Sequence, residues 1–239
     1  MQVKICGLRT RLDVAMINKL HPDYAGFVFA PGRHQVKLAQ VQTLRAQLAP
    51  GIKSVGVFVN AAPALVAAQS KLAGLDVIQL HGDEDAAYIR KLRRLVQLPV
   101  LKAIRLGGAS AVPKPGGTET TPKPGPGSSC PVTSKMLQEL SAAGVQGFLF
   151  DTASSSGYGG TGQSFNLQLL EELDVTQPFL VAGGLTAATV ASVIRKVQAG
   201  KHARFFKGVD VSSAVETDGH KDAVKVTAFI NAVRSAAAG

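Results

Sequence analysis

The chain has 239 residues and is 46% hydrophobic, enough to bury a sizeable core and within the range of one α/β barrel or two small domains. A formal charge of +10 admits nucleic acid or an anionic small substrate as partner, but only 5% of residues are aromatic and no aromatic–basic interleaving suggests a base-stacking platform. No apolar run approaches the roughly 20 residues that span a bilayer, and residues 1–5 run straight into a strand-like segment, so a cytoplasmic protein with no membrane or nucleic-acid partner is expected.

Short apolar runs recur at residues 3–5, 24–29, 54–59, 77–80, 100–104, 147–150, 179–181 and 205–209, each bounded by Gly, Pro or polar residues. Their near-continuous hydrophobicity fits parallel strands covered on both faces. Helical spacing appears between most of them. In 12–20 the apolar residues Leu12, Ala15, Met16 and Leu20 form a stripe, preceded by Thr10 and Asp13 at capping-box spacing. Residues 36–48, 63–72, 135–143, 186–197 and 222–236 also read as helices. Eight strands alternating with helices predict a (β/α)8 TIM barrel of α/β class, a single domain over 1–239. An open doubly wound sheet is the alternative, but it would carry GxGxxG after its first strand, where this chain has Cys6, Gly7, Leu8 and Arg9.

The stretch 107–131, GGASAVPKPGGTETTPKPGPGSSCP, breaks this rhythm. It has almost no large apolar side chains to offset the entropy of ordering. Because the β/α pattern continues on both sides, it reads as a long insertion after strand five rather than a linker. Cys130 lies within it as an exposed thiol.

In a barrel, chemistry belongs to the C-terminal strand ends. Strand one ends at Cys6, which suits either a small buried hydrophobe or, with a modest pKa shift, a base or nucleophile. Strand six ends at Asp151, ahead of a Gly-rich stretch from Gly157 to Gly162, an arrangement suited to a general acid or base under a lid. Strand four ends at His81, an orienting or catalytic group. After strand seven come Gly183 and Gly184; after strand eight come Asp210, Ser212 and Ser213, the last two placed to open a short extra helix. Exposed N–H groups from these two loops match the recurrent phosphate site of such barrels. No Cys/His spacing suggests a metal, and there is no P-loop, GxSxG or HExxH.

Taken together, KICG (4–7), GFVF (26–29), VGVFVN (55–60), QLHGDE (79–84), Asp151 with Thr152, YGGTG (158–162), AGGL (182–185) and VDVSSAVE (209–216) resemble the phosphoribosylanthranilate isomerases of tryptophan biosynthesis over nearly the whole length. The resemblance implies a cofactor-free barrel, monomeric or homodimeric, that converts N-(5-phosphoribosyl)anthranilate to the deoxyribulose phosphate by an Amadori rearrangement. It further implies Cys6 as general base, Asp151 as general acid, His81 and Gly160 at the substrate, and Gly183, Gly184, Asp210, Ser212 and Ser213 at its phosphate. The family carries an arginine after strand two that grips the anthranilate carboxylate. Counted back from Val36, that slot holds His34, with Arg33 one residue earlier; Arg33 is favoured because its charge is independent of pH near neutrality. The histidine-pathway isomerase would use carboxylates at strands one and five, whereas here those ends hold Cys6 and Arg105. Retention of both Cys6 and Asp151 argues against a non-catalytic phosphosugar-binding barrel.

Overall fold

A computed structural model describes residues 1–106, 132–151 and 167–238. The eight apolar runs form parallel strands: β1 (Gln2–Cys6), β2 (Tyr24–Val28), β3 (Lys53–Phe58), β4 (Val77–Leu80), β5 (Val100–Arg105), β6 (Gly147–Asp151), β7 (Phe179–Ala182) and β8 (Phe206–Val211). Each pairs with the next, and β8 pairs back onto β1 with Lys4 opposite Asp210, so the sheet closes and leaves no barrel edge. The predicted TIM barrel is the fold observed.

Strand alternation divides the side chains into two layers. Val3, Ile5, Phe27, Ile78, Leu80, Phe148, Phe150, Val181 and Val209 point outward into one continuous core shared with the helices. The inward row is thinner in apolar volume: Ala103, Leu149, Leu180 and Ala182 form a separate small cluster. The same inner row holds Lys4 and Cys6 of β1, Gln79 of β4 and Asp210 of β8, as their register shows. Two glycines make room there. A Cβ on Gly26 would lie 2.8 Å from Cys6 Sγ, and one on Gly208 would lie 1.9 Å from the Gln2 carbonyl oxygen.

The helices are α1 (Arg11–Leu20), α2 (Leu38–Arg45), α3 (Pro63–Ala73), α4 (Ala86–Arg93), α5 (Ser134–Ala142), α6 (Leu167–Glu172), α7 (Val190–Ala199) and α8 (Ala223–Ala238). The capping box before α1 forms: Thr10 Oγ1 accepts from Asp13 N–H, and the Asp13 carboxylate accepts from Thr10 N–H. In α7 the buried Val190, Val193, Ile194 and Val197 follow the spacing expected of one helical face.

Two helices, α4 and α6, were not expected from spacing. In α4 the buried residues are Ile89 and Leu92 alone, and three basic residues at its C-terminal half, Arg90, Lys91 and Arg93, mask the stripe; an Asp85 cap accepting from Tyr88 N–H at 2.7 Å starts it. The helix expected over 36–48 is shorter because residues 31–37 instead form a loop whose Gln35 bridges Val28. After β8 comes one 3-10 turn (Ser213–Val215) where a short helix was expected. A hairpin follows, β9 (Glu216–Thr217) and β10 (His220–Lys221), turned by Asp218 and Gly219, both at positive φ.

Candidate active site

The C-terminal strand ends surround a cleft of about 370 Å³ lined by Cys6, Gln79, His81, Asp151, Gly183, Gly184, Asp210, Ser212 and Ser213, among others. The barrel thus brings eight of the residues singled out in the sequence around one space. A larger groove, about 620 Å³, lies on the helix shell between α3 and the segment after α4. Its carboxylate, Asp76, is bonded to Ser54 and paired with Arg45.

Cys6 ends β1 at 8% exposure, a free thiol. Burial pushes its pKa above the ordinary value, against the pull of the Lys4 ammonium, while Asp210 adds to the upward push. Lys4, two residues back on the same inner face, is fully buried and donates to Asp210 Oδ1 at 2.9 Å. The Asp210 carboxylate is therefore committed to Lys4, and the phosphate donors expected beside it are Gly183, Gly184, Ser212 and Ser213.

Asp151 ends β6. Its Oδ2 lies 3.3 Å from His81 Nε2, and His81 Nδ1 lies 3.0 Å from Gln79 Nε2. His81 is thus held between a fully buried amide and the carboxylate. Gln79 had not been assigned a role from sequence; its place two residues before His81 on the inner row was the available signal.

Gly183 and Gly184 adopt φ of 96° and 62°, which only glycine takes up readily. A Cβ at Gly184 would meet open space. The backbone N–H groups of Gly183, Gly184 and Ser213 donate to no other group among the described residues. The Ser212 hydroxyl donates to the Cys6 carbonyl at 3.1 Å and so ties the β8 loop to the end of β1.

Arg33 and His34 sit apart from the cleft lining, gathered on Glu216. Arg33 Nη2 lies 2.8 Å from Glu216 Oε2; His34 Nε2 lies 2.8 Å and Lys221 Nζ 2.6 Å from Oε1. Burial works against the Glu216 carboxylate, but Lys221, His34 and Arg33 outweigh it and hold its pKa below the usual range. The pKa of His34 is pushed down, chiefly by burial, against the upward pull of Glu216. The Arg33 side chain remains 59% exposed. Glu216 was quoted in the sequence only as part of a motif; Lys221 is five residues away, but Arg33 and His34 lie more than 180 residues away in the chain, and no local pattern announces them.

A second buried network lies beneath His81. Lys102 Nζ donates to the Gly82 carbonyl at 2.7 Å and pairs with Glu84 Oε2 at 3.1 Å. Glu84 also accepts from Asn60 N–H and Gly82 N–H. One carboxylate thereby joins the loops after β3 and β4 to β5.

Gly160, the Gly-rich stretch around it, Cys130 and the insertion at 107–131 lie outside the described residues. Among the described residues, no cluster of His, Cys, Asp or Glu is arranged to hold a metal ion.

Comparison with known proteins gives a consistent result. A family model described as N-(5'phosphoribosyl)anthranilate (PRA) isomerase matches residues 3–112 and 125–232, leaving out part of the Pro/Gly-rich stretch. The N-(5'-phosphoribosyl)anthranilate isomerase of Acetivibrio thermocellus is 38% identical over 99% of this chain and 97% of its own length. That of Thermoanaerobacter sp. strain X514 is 36% identical over 98% of each. The crystal structure of phosphoribosyl anthranilate isomerase from Thermotoga maritima superposes with a TM-score of 0.73 at 26% identity, covering 98% of this chain and 99% of that one.

Proposed function

The chain belongs to the N-(5'-phosphoribosyl)anthranilate isomerase family, and from that premise we propose which of its residues carry the rearrangement. The protein is an isomerase of tryptophan biosynthesis, converting N-(5'-phosphoribosyl)anthranilate by an aldose–ketose rearrangement. The observation that supports the assignment of roles is that Cys6 and Asp151, from β1 and β6, line one cleft together with the paired glycines and the serines of the last two loops.

Asp151 is the general acid. It delivers a proton to the furanose oxygen, the ring C–O bond breaks, and an imine-like cation remains. Cys6, as thiolate, then takes the proton from the neighbouring carbon. The C–H electron pair becomes the C=C bond of an enolamine, which tautomerises to the ketone. The two steps need one acid and one base on opposing walls and no cofactor. His81, fixed by Gln79, positions the Asp151 carboxyl.

The substrate phosphate occupies the space before Gly183, Gly184 and Ser213, whose unengaged N–H groups suit an anion. Ser213→Asp, at an exposed position, should raise KM at least about tenfold by placing a like charge there, with kcat little changed. Steady-state kinetics and an anion soak check this; sulfate bound elsewhere on the barrel mouth, with KM unchanged in the variant, would contradict it.

The anthranilate carboxylate is gripped by Arg33. Both side chains bond Glu216, but that leaves His34 a single ring nitrogen, whereas Arg33, bonded through Nη2, keeps further N–H donors and is mostly exposed. Arg33→Ala should raise KM strongly and His34→Ala slightly. The reverse order would assign the contact to His34. Small effects in both would transfer the role to another cation of the mouth, such as Arg105 at the end of β5, whose guanidinium lies against the His81 carbonyl.

The protein works as one barrel domain with residues 107–131 inserted between β5 and α5. Its partner is the phosphorylated substrate, and its setting is the cytoplasm. None of the described helices is long and apolar enough to cross a membrane. A solved relative from Thermotoga maritima is described as dimeric; a homodimer is one of two assemblies, with the monomer, that suit this chain.

A further inference from the structure

We propose that Lys4 is a positioning residue of the rearrangement: its ammonium, anchored by Asp210, holds negative charge on the sulfur of Cys6. This rests on the reading of Cys6 as the base. Lys4 and Cys6 lie two residues apart on β1, so both point into the barrel. Lys4 is wholly buried and Asp210, its register partner on β8, is 7% exposed. An inner barrel position is ordinarily filled by a branched apolar side chain. The inner wall on β5–β7 is apolar, with Ala103, Leu149, Leu180 and Ala182. A buried ion pair is seldom more stabilising than a well-packed apolar pair, so packing alone does not account for a lysine here.

The charges around the thiol supply a reason. An ammonium has three donors; Lys4 uses one on Asp210, and its place two residues before Cys6 on the inner face puts its charge on the same side of the strand as the thiol. Burial alone would lower the pKa of Lys4, but Asp210 and Cys6 overcome it and raise the value, so Lys4 stays charged. Around Cys6, burial and Asp210 favour the thiol, while Lys4 and the Lys221 ammonium of β10 favour the thiolate. His81 and Asp151 face the same cleft from β4 and β6. Lys4 is the strongest of the groups on the thiolate side. During turnover it keeps its proton and Asp210 stays a carboxylate; only Cys6 changes, from thiolate to thiol as it takes the substrate proton.

Alkylation by iodoacetamide reads the thiolate without turnover. The rate at Cys6, resolved from Cys130 by peptide mass spectrometry, is measured across pH in the parent, Lys4→Met, Lys4→Arg, Asp210→Asn and Lys4→Met/Asp210→Asn. The double variant leaves no buried unpaired charge and keeps the test open if Lys4→Met does not fold. In Lys4→Met compared with the parent, and in Lys4→Met/Asp210→Asn compared with Asp210→Asn, Cys6 alkylation at pH 7.5 should slow by at least about tenfold, a rise of about one pH unit in its midpoint. Lys4→Arg should recover most of the rate. In the Met variants kcat should fall with alkylation while KM moves little. An unchanged Cys6 midpoint in a folded Met variant overturns the proposal. The base assignment itself fails by a different result, full activity in Cys6→Ala.

Discussion

Lys102→Met should lower the stability of the protein by about 3–5 kcal/mol, the usual cost of removing one partner of a buried ion pair. The side chains of Lys102 and Glu84 are 3% and 1% exposed, so the carboxylate left behind has no solvent to turn to. Burial holds the pKa of Lys102 down and Glu84 opposes that effect; the ammonium depends on its partner. In a chain of this size the loss corresponds to a fall in Tm on the order of 10 °C. Lys102→Met/Glu84→Gln should regain part of it, because no unpaired charge remains. The loss should not be confined to stability. Glu84 fixes Asn60 N–H and Gly82 N–H, and Gly82 follows His81 directly, so the His81 ring should lose its alignment on Asp151. Thermal unfolding of the three proteins checks this. A Tm within 2 °C of the parent in Lys102→Met would mean that the pair contributes no more than an exposed one.

Cys6→Ala and Asp151→Asn should each lower kcat by at least about 10²-fold, the scale of a positioned acid or base, and leave KM within a few-fold. Neither residue is proposed to touch the phosphate or the carboxylate, so binding survives where chemistry fails. The pH dependence carries a sign. A base acts deprotonated, and burial raises the thiol above its ordinary pKa of about 8.5. Wild-type kcat/KM should therefore keep rising beyond that pH, and the rise should vanish from the residual activity of Cys6→Ala. A wild-type profile already flat at pH 7 would mean that the titrating base is not this thiol.

The barrel was legible because its strands are nearly continuous apolar runs, the pattern parallel strands need when helices cover one face and inner residues the other. Cys6, Asp151, Gly183 and Ser213 could be found from their places at strand ends. What escaped the sequence depended on partners far along the chain. Glu216 looks like an ordinary surface carboxylate until Arg33 and His34 reach it from the β2 loop. Lys102 interrupts an apolar strand, and nothing local shows that Glu84 lies behind it. Helix α4 was hidden by its basic residues, since Ile89 and Leu92 alone make its buried face. Lys4 was different: its spacing from Cys6 already put the two side chains on one face, and what the sequence lacked was Asp210 opposite it.

The account is tested most directly by single turnover. Freshly made phosphoribosylanthranilate is mixed with excess wild-type, Cys6→Ala or Asp151→Asn protein, and the loss of anthranilate fluorescence is followed in time, so that product release drops out of the rate. The wild type should exhaust the signal in one rapid phase, and both variants should bind the substrate yet convert it at least about 10²-fold more slowly. Conversion by Cys6→Ala at the wild-type rate would contradict the assignment of acid and base on which the account stands.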